Sequence, residues 1–508
     1  MFMLISLFCV AIILIYLNLN KNKDYWRKRN VLQFDGLMWK FITGNCSLAE
    51  VYKDIYDTYT SEKCIGLFVG SRKAVLLKDM DDINYVLQGD IQNFCSRGIV
   101  TNPNDVLADN VLFVNDYPRW KLLRQKLSPV FTQKKLKNMF YIMERCGRDF
   151  VEFIENNAEI RSKPFNALYT YTTASIGASI FGIETQSKNV MDCPFMDMSW
   201  AISHPTLLDN MKAALSNYSP TLFRLLNLSN FTKFEKFFVG VTKNVLENRR
   251  KSKEIRHDFI DTCLELQESG VLSDPTTGYE IPLTDEVVAA QAFFFFVAGS
   301  DTTAGTMNYT LLELSYNPTI LEKVHKEIDK VFDECNNTLS YEDIEKLVYL
   351  DMVINESMRK YPSIGVIQRV CVNNAVLDTV LPNGNIKIEK GTKVMIPIFA
   401  LHRDEKYFPN PEVFDPERFS AENIPNIEKY KIFICYFSYF FGLTLISYIY
   451  IYFSGIKLAY MQMKVSLALL LRKYTLKEQT STPNDFEPSF FGIRNEYARY
   501  ELIPRIHT

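Results

Sequence analysis

A mainly α fold with a small β domain is what the 508-residue chain predicts, and three kinds of stretch predict it. Pro282 to Pro318 reads as one long helix, apolar on every side from Val287 to Ala298, the pattern of a helix in the middle of a large core. Residues 140–270 and the amphipathic TILEKVHKEIDKVF read as helix after helix, with breaks at Ser203-His204-Pro205 and Ser219-Pro220. Between Leu32 and Gly98, by contrast, the apolar residues of IGLFVG and KAVLLK alternate or run briefly, as short strands do.

Composition narrows the class further. Hydrophobic content of 47% lets the chain bury a large core, and a formal charge of −2 gives no bias towards nucleic acid. The ten cysteines are scattered singly, without a C-x-x-C pair, which argues against structural zinc and against a disulfide-built secreted fold.

Residues 1–20, MFMLISLFCVAIILIYLNLN, are apolar for about the length that spans a bilayer, and KNKDYWRKR follows at once. Positive charge behind the span keeps that end cytosolic, so a retained N-terminal transmembrane anchor is expected, with the body at 30–508 facing the cytosol. In DYPRWKLLRQKL, Trp120 and Arg124 lie one helical turn apart and share a face. Indole N–H and guanidinium suit a planar anionic partner, although such a pair also occurs as a surface cation–π contact. Arg119, Lys121, Lys126, Lys134, Lys135 and Lys137 form a basic face beside them. Arg249 to Arg256 reads as a basic, solvated linker, with a helix resuming at HDFIDTCLELQESG.

The central helix can be capped by Thr284, has Asp285 and Glu286 at its positive end, and is stopped by Asn317-Pro318. Halfway along, Gly299, Ser300, Asp301, Thr302 and Thr303 interrupt the apolar surface. An ionisable group there costs free energy unless it has a use. The residues leave two readings open: hydroxyls bonded back to the preceding turn, or an acid–alcohol pair with a job. Downstream, Glu356 and Arg359 in E-S-M-R stand three apart on one helix face and can pair.

The phrases AGSDTT, ESMRKYP, IQRVC and ALHRDEKYFPNPEVFDPERF occur in that order, and with DYPRWKLLRQKL they resemble the cytochrome P450 family, in particular its insect microsomal family six. The resemblance runs from Met1 to about Tyr430. It implies the P450 fold, a haem cofactor and a monooxygenase that inserts one atom of O2 into lipophilic small molecules. Electrons would come from NADPH through NADPH-cytochrome P450 reductase, with cytochrome b5 as a further donor, at the endoplasmic reticulum membrane. It assigns Asp301 and Thr302 to proton relay, and Trp120, Arg124, Arg369, Ala298 and Gly299 to the cofactor. Phe295, Phe296, Ile364, Val366 and Ile367 would line the substrate pocket. Arg418 would complete a buried structural cluster with Glu356 and Arg359, His402 would serve as a loop or propionate contact, and the basic face would dock an acidic electron donor. Phe195 to Phe238 would dip into the membrane as a substrate entrance.

Then the resemblance breaks. The family has a loop of the form F-x-x-G-x-R-x-C-x-G whose Cys thiolate is the axial iron ligand. Here an apolar run, 432–453, stands in its place, and Phe453 occupies the Cys position two residues before the helix resumes at Gly455. Three readings apply: a second membrane span, a displaced ligand at Cys435, or a translated intron or mispredicted exon, of which the third is favoured. A haemless, non-catalytic membrane protein keeping the fold is the alternative function.

Overall fold

The computed structural model describes residues 24–44, 46–182, 195–252, 255–373, 375–377, 386–425, 454–478, 486–488, 492–496 and 498–506. The anchor expected at 1–20, the apolar run at 432–453 with Cys435 and Phe453, and the turn at Asn383-Gly384 lie outside the described residues. Helices dominate, with small sheets beside them.

Helices α1 (Leu37–Gly44) and α2 (Leu48–Thr58) lead into strands β1 (Cys64–Val69) and β2 (Arg72–Leu77). Helix α2 starts on a reciprocal cap, in which the Ser47 side chain accepts from Glu50 N and the Glu50 carboxylate accepts from Ser47 N. Then come α3 (Tyr117–Leu127), α4 (Gln133–Asn156), α5 (Phe165–Phe181), α6 (Met196–Ser203), α7 (Leu207–Tyr218), α8 (Pro220–Leu225), α9 (Thr232–Ser252) and α10 (Phe259–Glu268). The breaks between α6, α7 and α8 fall at the two sequence breaks, because Pro205 and Pro220 cannot continue a helix.

Helix α11 (Asp285–Tyr316) is the long central helix; at 32 residues it runs about 48 Å. Thr284 caps it by accepting from Val287 N, with Asp285 and Glu286 in its first turn. It packs most extensively on α5, which is buried almost end to end. Among the described residues, α11 alone is long and apolar enough to cross a membrane, and 89% of its most apolar window is buried inside the fold. Its all-round apolarity therefore serves a protein core.

After α12 (Pro318–Glu334) and α13 (Val348–Lys360) the chain adds β3 (Ile367–Val370) and β4 (Lys393–Ile396), giving a four-stranded sheet in the order β1-β2-β4-β3. β2 and β4 are parallel and the other two pairs antiparallel. Helix α14 (Ser454–Lys473) packs along α4 and α11, and β5 (Tyr474–Glu478) pairs with β6 (Tyr500–Pro504).

The expectation for Arg249 to Arg256 needs correction. Arg249 lies in α9, is buried, and donates to Asp258 at 2.5 Å and also to Asp261. The acids at the start of α10 draw it inward, so it clamps two helices instead of marking a solvated linker.

Candidate functional site

Helix α11 is closed on nearly all sides in its middle; the exceptions are Val297, Asp301 and Gly305, each half-buried. Their spacing of four places them in one stripe along the helix. Asp301, Thr302, Gly305 and Asn308 face a cavity of about 20 Å³, closed from the other side by Ser363 and Arg494, and a volume of that order holds one water. Thr302 Oγ1 donates to Ala298 O at 2.6 Å, so at rest the hydroxyl is bonded into the preceding turn. The Thr302 carbonyl accepts from Ser363 Oγ at 3.1 Å and from Thr306 Oγ1 at 2.9 Å.

Asp301 is ion-paired with Arg494, whose Nη1 donates to Ser203 O at 2.8 Å at the end of α6. Burial works against the charge on Arg494, but Asp301 more than offsets it and holds the guanidinium above its usual range. Arg494 was invisible to sequence reasoning because it stands 193 residues from Asp301.

Gly299 points elsewhere. A Cβ on it would meet Ile176 of α5 at 2.7 Å, so its close approach is to a neighbouring helix. Gly299→Val is expected to lower stability by about 1–3 kcal/mol through overpacking, with partial rescue by Ile176→Ala. Chemical denaturation of both variants measures this, and an unchanged midpoint in Gly299→Val would contradict the close packing.

Phe295 and Phe296, expected to line the substrate pocket, pack against other aromatic rings. Phe296 is fully buried among Phe181, Phe195 and Phe238, and Phe295 packs on Phe259 and Phe294. Both turn into the aromatic layer between α11, α5, α9 and α10. Ile364 and Val366 are half-buried and Ile367 is buried in the sheet-side core, and none of the three lines the cavity.

A second set of residues gathers around Cys95. Arg97 and Arg369 both act on its thiol, which burial, the largest influence, pushes up to about 11, and Asp116, the N-cap of α3, is near enough to add to the rise. Arg97 Nη1 donates to the carbonyls of Val111 and Leu112 at 3.2 Å, and burial pushes its pKa down to about 10. Arg369 is buried on β3, with Nη1 donating to Gln368 O at 2.7 Å. Trp120, on α3, is 3% exposed, and its Nε1 is buried with no hydrogen-bond partner among the described residues. A buried N–H without an acceptor costs about 1–3 kcal/mol, so this indole fits an acceptor from outside the chain. Two guanidiniums and one indole N–H are the donors a planar dicarboxylate such as the haem edge requires, and the residues present fit that group. Arg124 is half-buried one turn beyond Trp120. Sequence reading passed over Arg97 because C-S-R-G sits in a turn-rich loop without periodicity.

The basic face is partly occupied. Arg119 donates to Asp109 at 2.7 Å, Lys121 and Lys135 lie 3.6 and 3.2 Å from Asp274 and Glu265, and Lys137 pairs with Glu342. Among the described residues, Lys126 and Lys134 have no such acidic neighbour. Exposed pairs of this kind are weak enough to exchange.

The structure also brings together Glu356, Arg359 and Arg418. Arg359 donates to both Glu356 oxygens at 2.7 and 2.9 Å, and Arg418 Nε approaches one at 3.4 Å. His402 Nδ1 is 3.0 Å from Arg359 O, inside the same network. A second buried pair, Lys360 with Glu313 at 2.7 Å, joins α13 to α11.

The family model described as Cytochrome P450 matches residues 31–502. The chain is 33% identical to cytochrome P450 6B1 of Papilio polyxenes over 84% of its own length and 85% of the relative's. It is 31% identical to cytochrome P450 6B5 of Papilio glaucus, over 93% and 97% of the two chains. With probable cytochrome P450 6a13 of Drosophila melanogaster it shares 31% identity over 99% of both.

Proposed function

The chain belongs to the cytochrome P450 family of monooxygenases, and from that premise we propose that it oxidises lipophilic small molecules by inserting one atom of O2. NADPH electrons reach it through NADPH-cytochrome P450 reductase, with cytochrome b5 as a second donor. Residues 1–20 anchor it in the endoplasmic reticulum membrane, and residues 30–508 form one catalytic domain facing the cytosol. The observation that carries the reading is the pair Asp301 and Thr302 facing a water-sized cavity midway along the buried helix α11.

Haem, when bound, supplies the activation of O2. Trp120, Arg97, Arg124 and Arg369 would hold its carboxylate edge by charge-assisted hydrogen bonds. The aromatic layer of Phe181, Phe238 and Phe296 excludes water from the far side of α11. Thr302 Oγ1 moves a proton by turning from Ala298 O towards the cavity, where one water can receive it. Once its carboxylate leaves Arg494, Asp301 takes a proton from solvent water and passes it on to the Thr302 hydroxyl, which restores both groups.

One observation favours the second reading, a haemless protein that keeps the fold: Phe453 stands where the family has its axial Cys. The test is to sequence the transcript across Tyr430 to Lys457 and record the reduced carbon monoxide difference spectrum of the encoded protein. A transcript lacking 432–453 and encoding the Cys loop is expected, giving a thiolate-type band and reductase-dependent oxidation. For the chain exactly as translated above, no such band is expected. A band in it that disappears in Cys435→Ser would overturn the assignment of the ligand position. A native transcript carrying the run, with no band and no oxidation, would leave the haemless reading.

A further inference from the structure

Arg494 stands between two carboxylates and hydrogen-bonds to one of them. Its Nη2 donates to Asp301 of α11, and its Nη1 donates at 2.8 Å to Ser203 O at the end of α6. Two residues further along the chain, Glu496 Oε1 lies 3.8 Å from the same Nη1. Asp301, Arg494 and Glu496 all line the water-sized cavity, with side chains 25%, 25% and 14% exposed. Glu496 Oε1 is buried and accepts no hydrogen bond among the described residues. A shift of roughly 1 Å would bring it within hydrogen-bonding distance of the guanidinium. Burial works against the charge on Arg494, Asp301 supports it most, and Glu496 comes next.

The backbone holds Glu496 in place for such an exchange. Glu496 N donates to Glu487 Oε1 at 2.7 Å, and Glu487 N donates to Arg494 O at 3.0 Å, so the two ends of this segment fix each other. On the solvent side, His204 Nε2 lies 3.2 Å from Glu496 Oε1 and 3.3 Å from its Oε2, with the imidazole stacked on Trp200 at 3.7 Å. The charged and titratable groups around Glu496 are therefore Arg494, His204 and Glu487, and Tyr169 of α5 bears on Asp301 and Arg494. A partly buried guanidinium that left Asp301 with no second acid in reach would be stranded; with Glu496 beside it, the charge stays paired throughout.

We propose that Glu496 is a positioning residue for the Asp301 proton step: it takes Arg494 over from Asp301 and so frees that carboxylate towards the cavity. The inference rests on the proton relay proposed for Asp301 and Thr302, but its first test reads Asp301 directly and needs no haem. A water-soluble carbodiimide with glycinamide labels free carboxylates, and peptide mass spectrometry of the purified full chain gives the labelling rate at Asp301. In Glu496→Gln, Arg494 keeps to Asp301, and labelling there is expected to slow about three- to fivefold, the ratio set by one partly exposed ion pair. Glu496→Asp, which keeps the charge, should recover part of the rate. Loosening of the segment alone would act the other way and speed the labelling.

Arg494→Gln removes the shared cation, so Asp301 should label fast in it, and adding Glu496→Gln should then change nothing. Labelling of Asp301 that is unchanged or faster in Glu496→Gln overturns the proposal, as does a slowing that persists in the Arg494→Gln background. The second test uses the protein with the Cys loop, in which product formed per NADPH consumed is expected to fall in Glu496→Gln and to recover in Glu496→Asp. Slower labelling with unchanged coupling would overturn the role in proton supply while leaving the exchange of Arg494 standing, which tells the two failures apart.

Discussion

Glu356→Ala is expected to abolish soluble expression of the folded chain or to lower its stability by about 3–5 kcal/mol, a large share of the roughly 5–15 kcal/mol that holds a domain together. Glu356 is fully buried and satisfied: it accepts from Arg359 Nε at 2.7 Å, from Arg359 Nη2 and Asp415 N at 2.9 Å, and from Arg418 Nε at 3.4 Å. Arg359 also donates to His402 O at 2.8 Å and Pro411 O at 2.7 Å, so the helix end, the His402 turn and the Pro411 loop depend on one carboxylate. Removing it strands a guanidinium that is 2% exposed. Soluble yield and the denaturation midpoint measure the effect, and Glu356→Gln, which keeps shape and loses charge, should fall between parent and alanine variant. A wild-type midpoint in Glu356→Ala would mean that the network does not hold the fold.

Lys360→Met is expected to cost a comparable 3–5 kcal/mol, because breaking a buried pair leaves an uncompensated charge, here Glu313 on α11. Glu313 accepts from Lys360 Nζ at 2.7 Å, from the Tyr361 hydroxyl and from Asn317 Nδ2 at 3.2 Å. Burial, and then Glu313, push the Tyr361 hydroxyl well above its usual pKa, so it stays a donor. The double variant Lys360→Met with Glu313→Gln removes both charges and should recover more than half of the loss, since contacting residues couple. Equal midpoints for the single and double variants would show that Lys360 contributes packing alone.

The two networks differ in how far they could be foreseen. Glu356 and Arg359 are three apart on one helix, so their pairing follows from local geometry. Glu313 and Lys360 are 47 apart on different helices, and nothing in either segment names the other. The same contrast runs through the site. Thr284, Asp285 and Pro318 mark the ends of α11 because capping is a local property. Which face of that helix opens to the cavity is not local: between Val287 and Ala298 only Gln291 is polar, so no polar stripe tells core from pocket.

The sequence by itself determined the fold class, the long buried helix with its caps and its interruption at Asp301 and Thr302, and the family, since all of these rest on contiguous residues and their order. By the family resemblance it also put Phe453 where the axial Cys is expected. Only the tertiary structure decided that Arg494 holds Asp301, that Gly299 serves the contact with α5, that Arg97 joins Arg369 beside Cys95, and that Lys393 lies buried against Asn217, 176 residues away. The physical reason is that burial and charge pairing are set by which surfaces meet when helices and sheet pack. Residues far apart in the chain acquire their energies, and their uses, only at that point.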